Sequence, residues 1–140
     1  MMNHRRASFA LIAFLVAQLA VTYGSGAESA GAGQQTIEGL VRDISCPLQN
    51  KAATATKFNL QCARQCVEQG SPIIILSKDG DIYVPISDSM PDKSQRERLL
   101  PFVGRYVRAT GKVFERGGSR AIAIRTITEM KNVHLITDAQ

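Results

Sequence analysis

Two runs near the end of the chain, Arg105 to Glu115 and Arg120 to Thr128, are joined through Gly117-Gly118. Val107, Ala109, Gly111 and Val113 fall on one face of the first run, and Arg108, Lys112 and Arg116 on the other. Alternation with a period of two buries one face of a strand and wets the other, so the pair reads as a hairpin laid over a core. An earlier pair has the same form: the run Ile73 to Leu76, the turn signal Asp79-Gly80, and the return Ile82 to Ile86. Upstream, Thr36 to Ser45 sets Ile37, Val41 and Ile44 among polar residues and predicts a first strand, with Gly39 as a bulge site.

Between the hairpins, Asp92 to Leu100 is charged, ends in Leu99-Leu100 and stops at Pro101. With Asp92 as N-cap, a short helix is expected there, and Arg96, Glu97 and Arg98 form its wet face. Strand, hairpin, helix, hairpin is the element order of a mainly β, five-stranded Greek-key barrel of the OB type, which closes the sheet and removes most exposed edges. A small open sandwich uses the same strands.

The segment Cys46 to Ser71 is extra to that barrel, an insertion between strands one and two that holds all three cysteines. Phe58, Cys62, Ala63, Cys66 and Val67 share one stripe of a helix that stops at Gly70, and its other face carries Asn59, Gln61, Arg64, Gln65, Glu68 and Gln69. This predicts a helical insertion whose cysteines face the barrel. Cys46 lies at the end of strand one, where the chain turns at Pro47.

Three readings of the cysteines compete. In an oxidising compartment, a disulfide from Cys46 to one helix cysteine is favoured. A Cys62–Cys66 bond is poorly set up, because their side chains project in parallel from consecutive turns. The second reading is a metal site on Cys46, Cys62 and Cys66, since three soft ligands suit zinc or copper(I). A fourth ligand is not at hand: His134 lies in the tail, and Met90 and Met130 suit only copper. The third is three inert, buried thiols. If one thiol is reactive, Cys62 is the candidate, because with Asn59 as N-cap it falls in the first helical turn, where backbone N–H groups favour a thiolate.

The oxidising compartment follows from the N-terminus. His4, Arg5 and Arg6 precede an uncharged run from Ala7 to Ala27, apolar from Phe9 to Val21 except for Gln18. The apolar stretch is shorter than the roughly 20 residues of a permanent membrane span and ends in Gly24-Ser25-Gly26-Ala27. Residues 1–27 are therefore expected to be a cleavable signal peptide, with a flexible leader at 28–35, an OB-like domain at 36–130 and a tail at 131–140. The spacing of Phe9 from Arg5-Arg6 departs from the twin-arginine pattern, which leaves the export route open. Location in the periplasm or outside the cell follows, with no permanent membrane anchor. Cleavage removes Arg5 and Arg6 and no acidic residue, so the formal charge falls from +5 to +3. A solvated surface explains that excess, and nucleic acid is not an expected partner.

The succession Glu38-Gly39-Leu40-Val41-Arg42-Asp43-Ile44-Ser45-Cys46, then Cys62-Ala63 with Cys66 and Gly70-Ser71-Pro72, carries a resemblance. It continues through Asp79-Gly80 with Tyr83, and then Gly111-Lys112-Val113-Phe114-Glu115-Arg116-Gly117-Gly118 with Ala121-Ile122. Together these residues resemble a group of small exported bacterial OB-fold-like proteins with a cysteine insertion, over nearly the whole mature chain. The resemblance implies the barrel and a role for the insertion, and no activity. Similar proteins often carry a histidine three residues before the first helix cysteine, where this chain has Asn59.

No catalytic constellation stands out. His134 has no cysteine or serine near it in sequence, Asp43 reads as a strand-end polar group, Asp79 as a turn former, and Tyr83 and Tyr106 as packing residues. The expected function is therefore an exported, non-enzymatic binding module with no cofactor, whose partner is an envelope protein or a small ligand. The rival is a periplasmic copper-, zinc- or thiol-redox protein using Cys46, Cys62 and Cys66.

Overall fold

The computed structural model describes residues 33–138, so the predicted signal segment and most of the leader lie outside the described residues. Five strands form a closed barrel in the order β1-β2-β3-β5-β4: β1 (Gln34–Asp43), β2 (Ile73–Ser77), β3 (Ile82–Ile86), β4 (Tyr106–Arg116) and β5 (Ser119–Glu129). Every neighbouring pair is antiparallel except β3 and β5, whose parallel pairing closes the ring. This is the expected OB-type barrel, with the cysteines in a helical region between β1 and β2.

β1 is the shared strand. Its second half pairs with β2 from Gly39↔Ser77 to Asp43↔Ile73, and its first part pairs with β4 from Gln34↔Lys112 to Leu40↔Tyr106. Side chains alternate along it, so its two faces meet two different apolar clusters. Ile37 and Val41 enter the barrel with Ile73, Ile75, Val107, Val113, Ile122 and Ile124. Leu40 points outward into a second cluster with Phe58, Ala63, Ile74, Leu76 and Tyr106, beneath the insertion.

Gly39 is not a bulge. It pairs regularly on both sides, and the register break of the barrel falls at Thr110/Gly111 against β5. Glycine is required at position 39 by close approach, since a Cβ there would run into the Leu76 carbonyl and stand 2.8 Å from Ile75 Cγ2.

Two helices form the insertion, α1 (Ser45–Gln49) and α2 (Leu60–Glu68). The third, α3 (Arg96–Leu99), continues as a 3₁₀ turn over Leu100–Phe102 and buries Leu99 in the barrel core. It is shorter than its sequence suggests. Asp92 does not cap it: its carboxylate accepts from Ser87 N–H and Ser87 Oγ–H, which bonds the preceding loop to itself. Arg96 and Arg98 are not simply a wet face. Arg98 donates to the Ile124 and Arg125 carbonyls, and Arg96 to the Val67 carbonyl at the end of α2. Two arginines thus use carbonyls left over at a strand edge and a helix end.

The segment after β5 folds back onto the insertion. Phe58 N–H donates to Ile136 O at 2.9 Å, Ile136 N–H to Thr56 O at 2.8 Å, and Leu60 N–H to Thr137 O at 2.9 Å. Val133 and Leu135 pack against the outer cluster. Among the described residues, no helix is long and apolar enough to cross a membrane.

Replacing Gly39 with Ala is expected to cost about 2–4 kcal/mol, because the clash is with backbone in two ladders. Gly80→Ala, where φ is +88° and nothing lies within 4 Å, should cost only about 1 kcal/mol. Urea unfolding of the two variants beside the parent checks the ranking.

Candidate metal centre

Asp43 ends β1 and bonds the start of α1: its Oδ2 accepts from Cys46 N–H at 2.7 Å. Cys46 therefore sits in the first turn of a short helix rather than on the strand end. Across from it, Asn59 caps α2 as the sequence predicts, with Oδ1 accepting from Cys62 N–H at 2.7 Å. One turn on, Cys66 presents its sulfur to the same side. Ala63 and Val67 take the buried stripe, and the cysteines occupy its edge.

The three sulfurs converge. Cys46 Sγ stands 3.2 Å from Cys62 Sγ and 4.0 Å from Cys66 Sγ, and all three lie within 4.8 Å of one another. A triangle of sulfurs with edges near 4 Å has its centre about 2.3 Å from each corner, which is the zinc–thiolate distance. The three cysteines the sequence singles out are thus one group able to hold a metal ion.

Two expectations are corrected. The disulfide from Cys46 to a helix cysteine is not formed: all three cysteines are free, and the shortest sulfur separation, 3.2 Å, is well beyond the roughly 2.05 Å of a bond. Nor are the thiols fully buried in the core: each is only half-buried.

Electrostatics favour the protonated thiol at Cys46 and Cys66. Burial pushes the Cys46 thiol up from its ordinary 9.0 to about 12, helped by its hydrogen bond to Cys62 and by the Asp43 carboxylate. The Cys66 thiol is also raised, first by burial and then by Asp43. A bound cation reverses this preference, since each thiol would exchange its proton for the metal.

Beneath the sulfurs lies an arginine that sequence reasoning did not mark. Arg42 is 1% exposed; its Nη2 donates to Asp43 Oδ1 at 3.2 Å, and its guanidinium lies 5.7 Å from the centre of the Phe58 ring. Its Nε and Nη1 are buried with no acceptor among the described residues. The signal was legible in Val41-Arg42-Asp43-Ile44, where two charges interrupt an apolar strand.

A cavity of about 400 Å³ opens beside the cluster. All three cysteines and Arg42 line it, with Phe58, Ala52 and Ala53 as apolar wall and Gln49, Asn50 and Asn59 as amides. His134, Met90 and Met130 do not reach it: His134 is exposed, Met90 is 89% exposed, and Met130 packs against the outer cluster. Tyr106 is buried in that cluster, and Tyr83 packs on the barrel core.

The raised Cys46 thiol fixes a sign for stability. Its folded pKa lies above the unfolded value, so its contribution is present below about pH 9 and lost as pH rises toward 12. The reduced, metal-free protein should lose urea resistance between pH 8 and pH 10.5 more steeply than its Cys46→Ser variant. The chain matches no protein-family model, no curated protein and no solved structure.

Proposed function

We propose that this chain is a small thiolate metal-binding protein of the cell envelope, holding one zinc or copper(I) ion between Cys46, Cys62 and Cys66. The observation that carries the reading is the convergence of three free thiols from two helices within 4.8 Å. Isolated cysteines on a helix edge have no reason to meet. Here α1 is tied to β1 through Asp43, and α2 is capped by Asn59 and pinned at its start by Leu60 N–H to Thr137 O. Both helices are thus held independently of any sulfur–sulfur bond.

The donor set suits soft and borderline ions. Three thiolates complete copper(I) and leave zinc one ligand short, whereas hard ions such as magnesium or calcium prefer oxygen. Half-exposed sulfurs on an open cavity also suit an ion that is taken up and released, in contrast to the closed sites that hold structural zinc. Export, as the N-terminal sequence predicts, makes this an envelope metal site.

Under reducing, anaerobic conditions the purified protein should show three titratable thiols, bind one zinc or copper(I) per chain by elemental analysis, and lose thiol reactivity when loaded. Cys46→Ser, Cys62→Ser and Cys66→Ser should each weaken binding about 100-fold or more, beyond the 10- to 100-fold typical of outer-sphere changes. Sub-stoichiometric metal in the parent, or a Cys→Ser variant that binds as the parent does, sinks the reading. Affinity should rise with pH from 6 to 9, because the metal must displace the protons that the raised Cys46 and Cys66 thiols hold.

A further inference from the structure

The cluster brings together three sulfurs, and no histidine or carboxylate among the described residues joins them. Tetrahedral zinc takes four ligands, and a site with three protein ligands keeps its fourth position for a group from outside. That position has a direction here, because all three cysteines line the same cavity of about 400 Å³, a volume within the roughly 300–1,000 Å³ typical of small-molecule sites.

Charge decides what can enter. Zinc with three thiolates carries one net negative charge. The buried ion pair beside it adds none, since Arg42 is already matched to Asp43. The Asp43 carboxylate accepts from Cys46 N–H at 2.7 Å but is balanced by Arg42, so the repulsion a further anion meets comes from the thiolates. Lys57, the remaining charged group on the wall, is exposed to water and weakly opposes that repulsion. A neutral donor meets none of it.

The walls narrow the choice further. Ala52 and Ala53, with the edge of the buried Phe58, make one side of the cavity apolar, and the amides of Asn50 and Asn59 bring carbonyl oxygens to its wall. An imidazole bound through one nitrogen needs an acceptor for its second N–H, and such an acceptor holds the ring and raises its basicity. Asn50 and Asn59 already accept one backbone N–H each, from Ala52 and Cys62, which fixes their oxygens in place.

Resting on the metal reading above, we infer that this cavity admits a neutral imidazole-type nitrogen donor as the fourth ligand of a zinc ion held by Cys46, Cys62 and Cys66. The donor is either a small imidazole compound or a histidine side chain of a partner protein, and the chemistry at the metal is the same. The exchange releases the water or other weak ligand in that position and involves no electron transfer.

The test uses cobalt(II), which takes zinc's place and reports its ligand set in its visible absorption. Reduced, cobalt-loaded protein is titrated with imidazole, a blocked Gly-His-Gly peptide, acetate and β-mercaptoethanol. Imidazole and the peptide should each shift the sulfur-to-cobalt and d–d bands to a saturating end point, at concentrations at least tenfold below any response to acetate. Tighter binding of the peptide assigns the donor to a protein side chain; tighter binding of imidazole assigns it to a small molecule.

Two variants hold the cavity to account. Ala53→Leu fills its apolar wall and should weaken imidazole binding tenfold or more while cobalt stays bound. Asn59→His places an imidazole at the start of α2 and should give the shifted spectrum with no addition. Retained cobalt with no imidazole response, equal response to acetate or thiol, or an Ala53→Leu variant that binds imidazole as the parent does overturns the inference alone. Failure of cobalt and zinc to bind at all overturns the zinc reading with it.

Discussion

The structure depends on a single strand being buried on both faces and paired on both edges. β1 carries Ile37 and Val41 into the barrel and Leu40 and Arg42 under the insertion, while its backbone serves β4 and β2 in turn. A strand so confined has one register, because a slip of one residue would exchange its two faces and place Arg42 in the barrel. Its last two residues then set the entrance to α1. Asp43 holds Cys46 through the backbone, and Arg42 fills the floor beneath the cysteines against Phe58. The position of the thiol cluster is thus a consequence of how the barrel closes.

Most of that barrel was legible because its signals are local. Alternation in Val107 to Val113, the turns at Asp79-Gly80 and Gly117-Gly118, and the Asn59 cap each depend on neighbours within a few residues. What escaped depends on long-range partners. Gly39 reads as a bulge until the Leu76 carbonyl is seen against it. Arg96 and Arg98 read as solvated until β5 and the end of α2 supply their acceptors. Val133, Leu135 and Ile136 belong to no predicted element, because the strand-like partner they find is the irregular segment before α2. The convergence of Cys46 on Cys62 and Cys66 depends on the path of the 15 residues between Cys46 and Cys62.

The disulfide expectation failed for a reason that bears on chemistry. Compartment statistics describe which cysteines persist oxidised, whereas here both helices are fixed by hydrogen bonds from Asp43, Asn59 and Thr137. The insertion does not need a covalent staple to hold its shape. Sulfurs released from that duty stand close together as thiols, and proximity of three acidic groups beside a carboxylate is unfavourable once any of them ionises. Burial and the Asp43 charge both push Cys46 toward the neutral form. In the proposed reading, a cation of high affinity for sulfur compensates for the protons that Cys46 and Cys66 hold tightly.

That compensation makes the outer residues matter as much as the ligands. Asp43 opposes thiolate formation, yet it also fixes Cys46 and pairs with Arg42, whose remaining N–H groups are shut away from water. Removing Asp43 would leave a buried guanidinium with no counter-charge, a defect that typically costs about 3–5 kcal/mol. Removing Arg42 would leave its carboxylate facing the sulfurs unopposed. The pair therefore sets a fixed, nearly neutral floor on which the charge of the cluster is decided by the thiols and whatever they hold. On that floor a copper(I) trithiolate carries one more negative charge than a zinc trithiolate does. In the proposed reading, with Arg42 balancing Asp43 and Lys57 in water, the lower negative charge of the zinc trithiolate is the easier to hold, and zinc's fourth position faces the cavity.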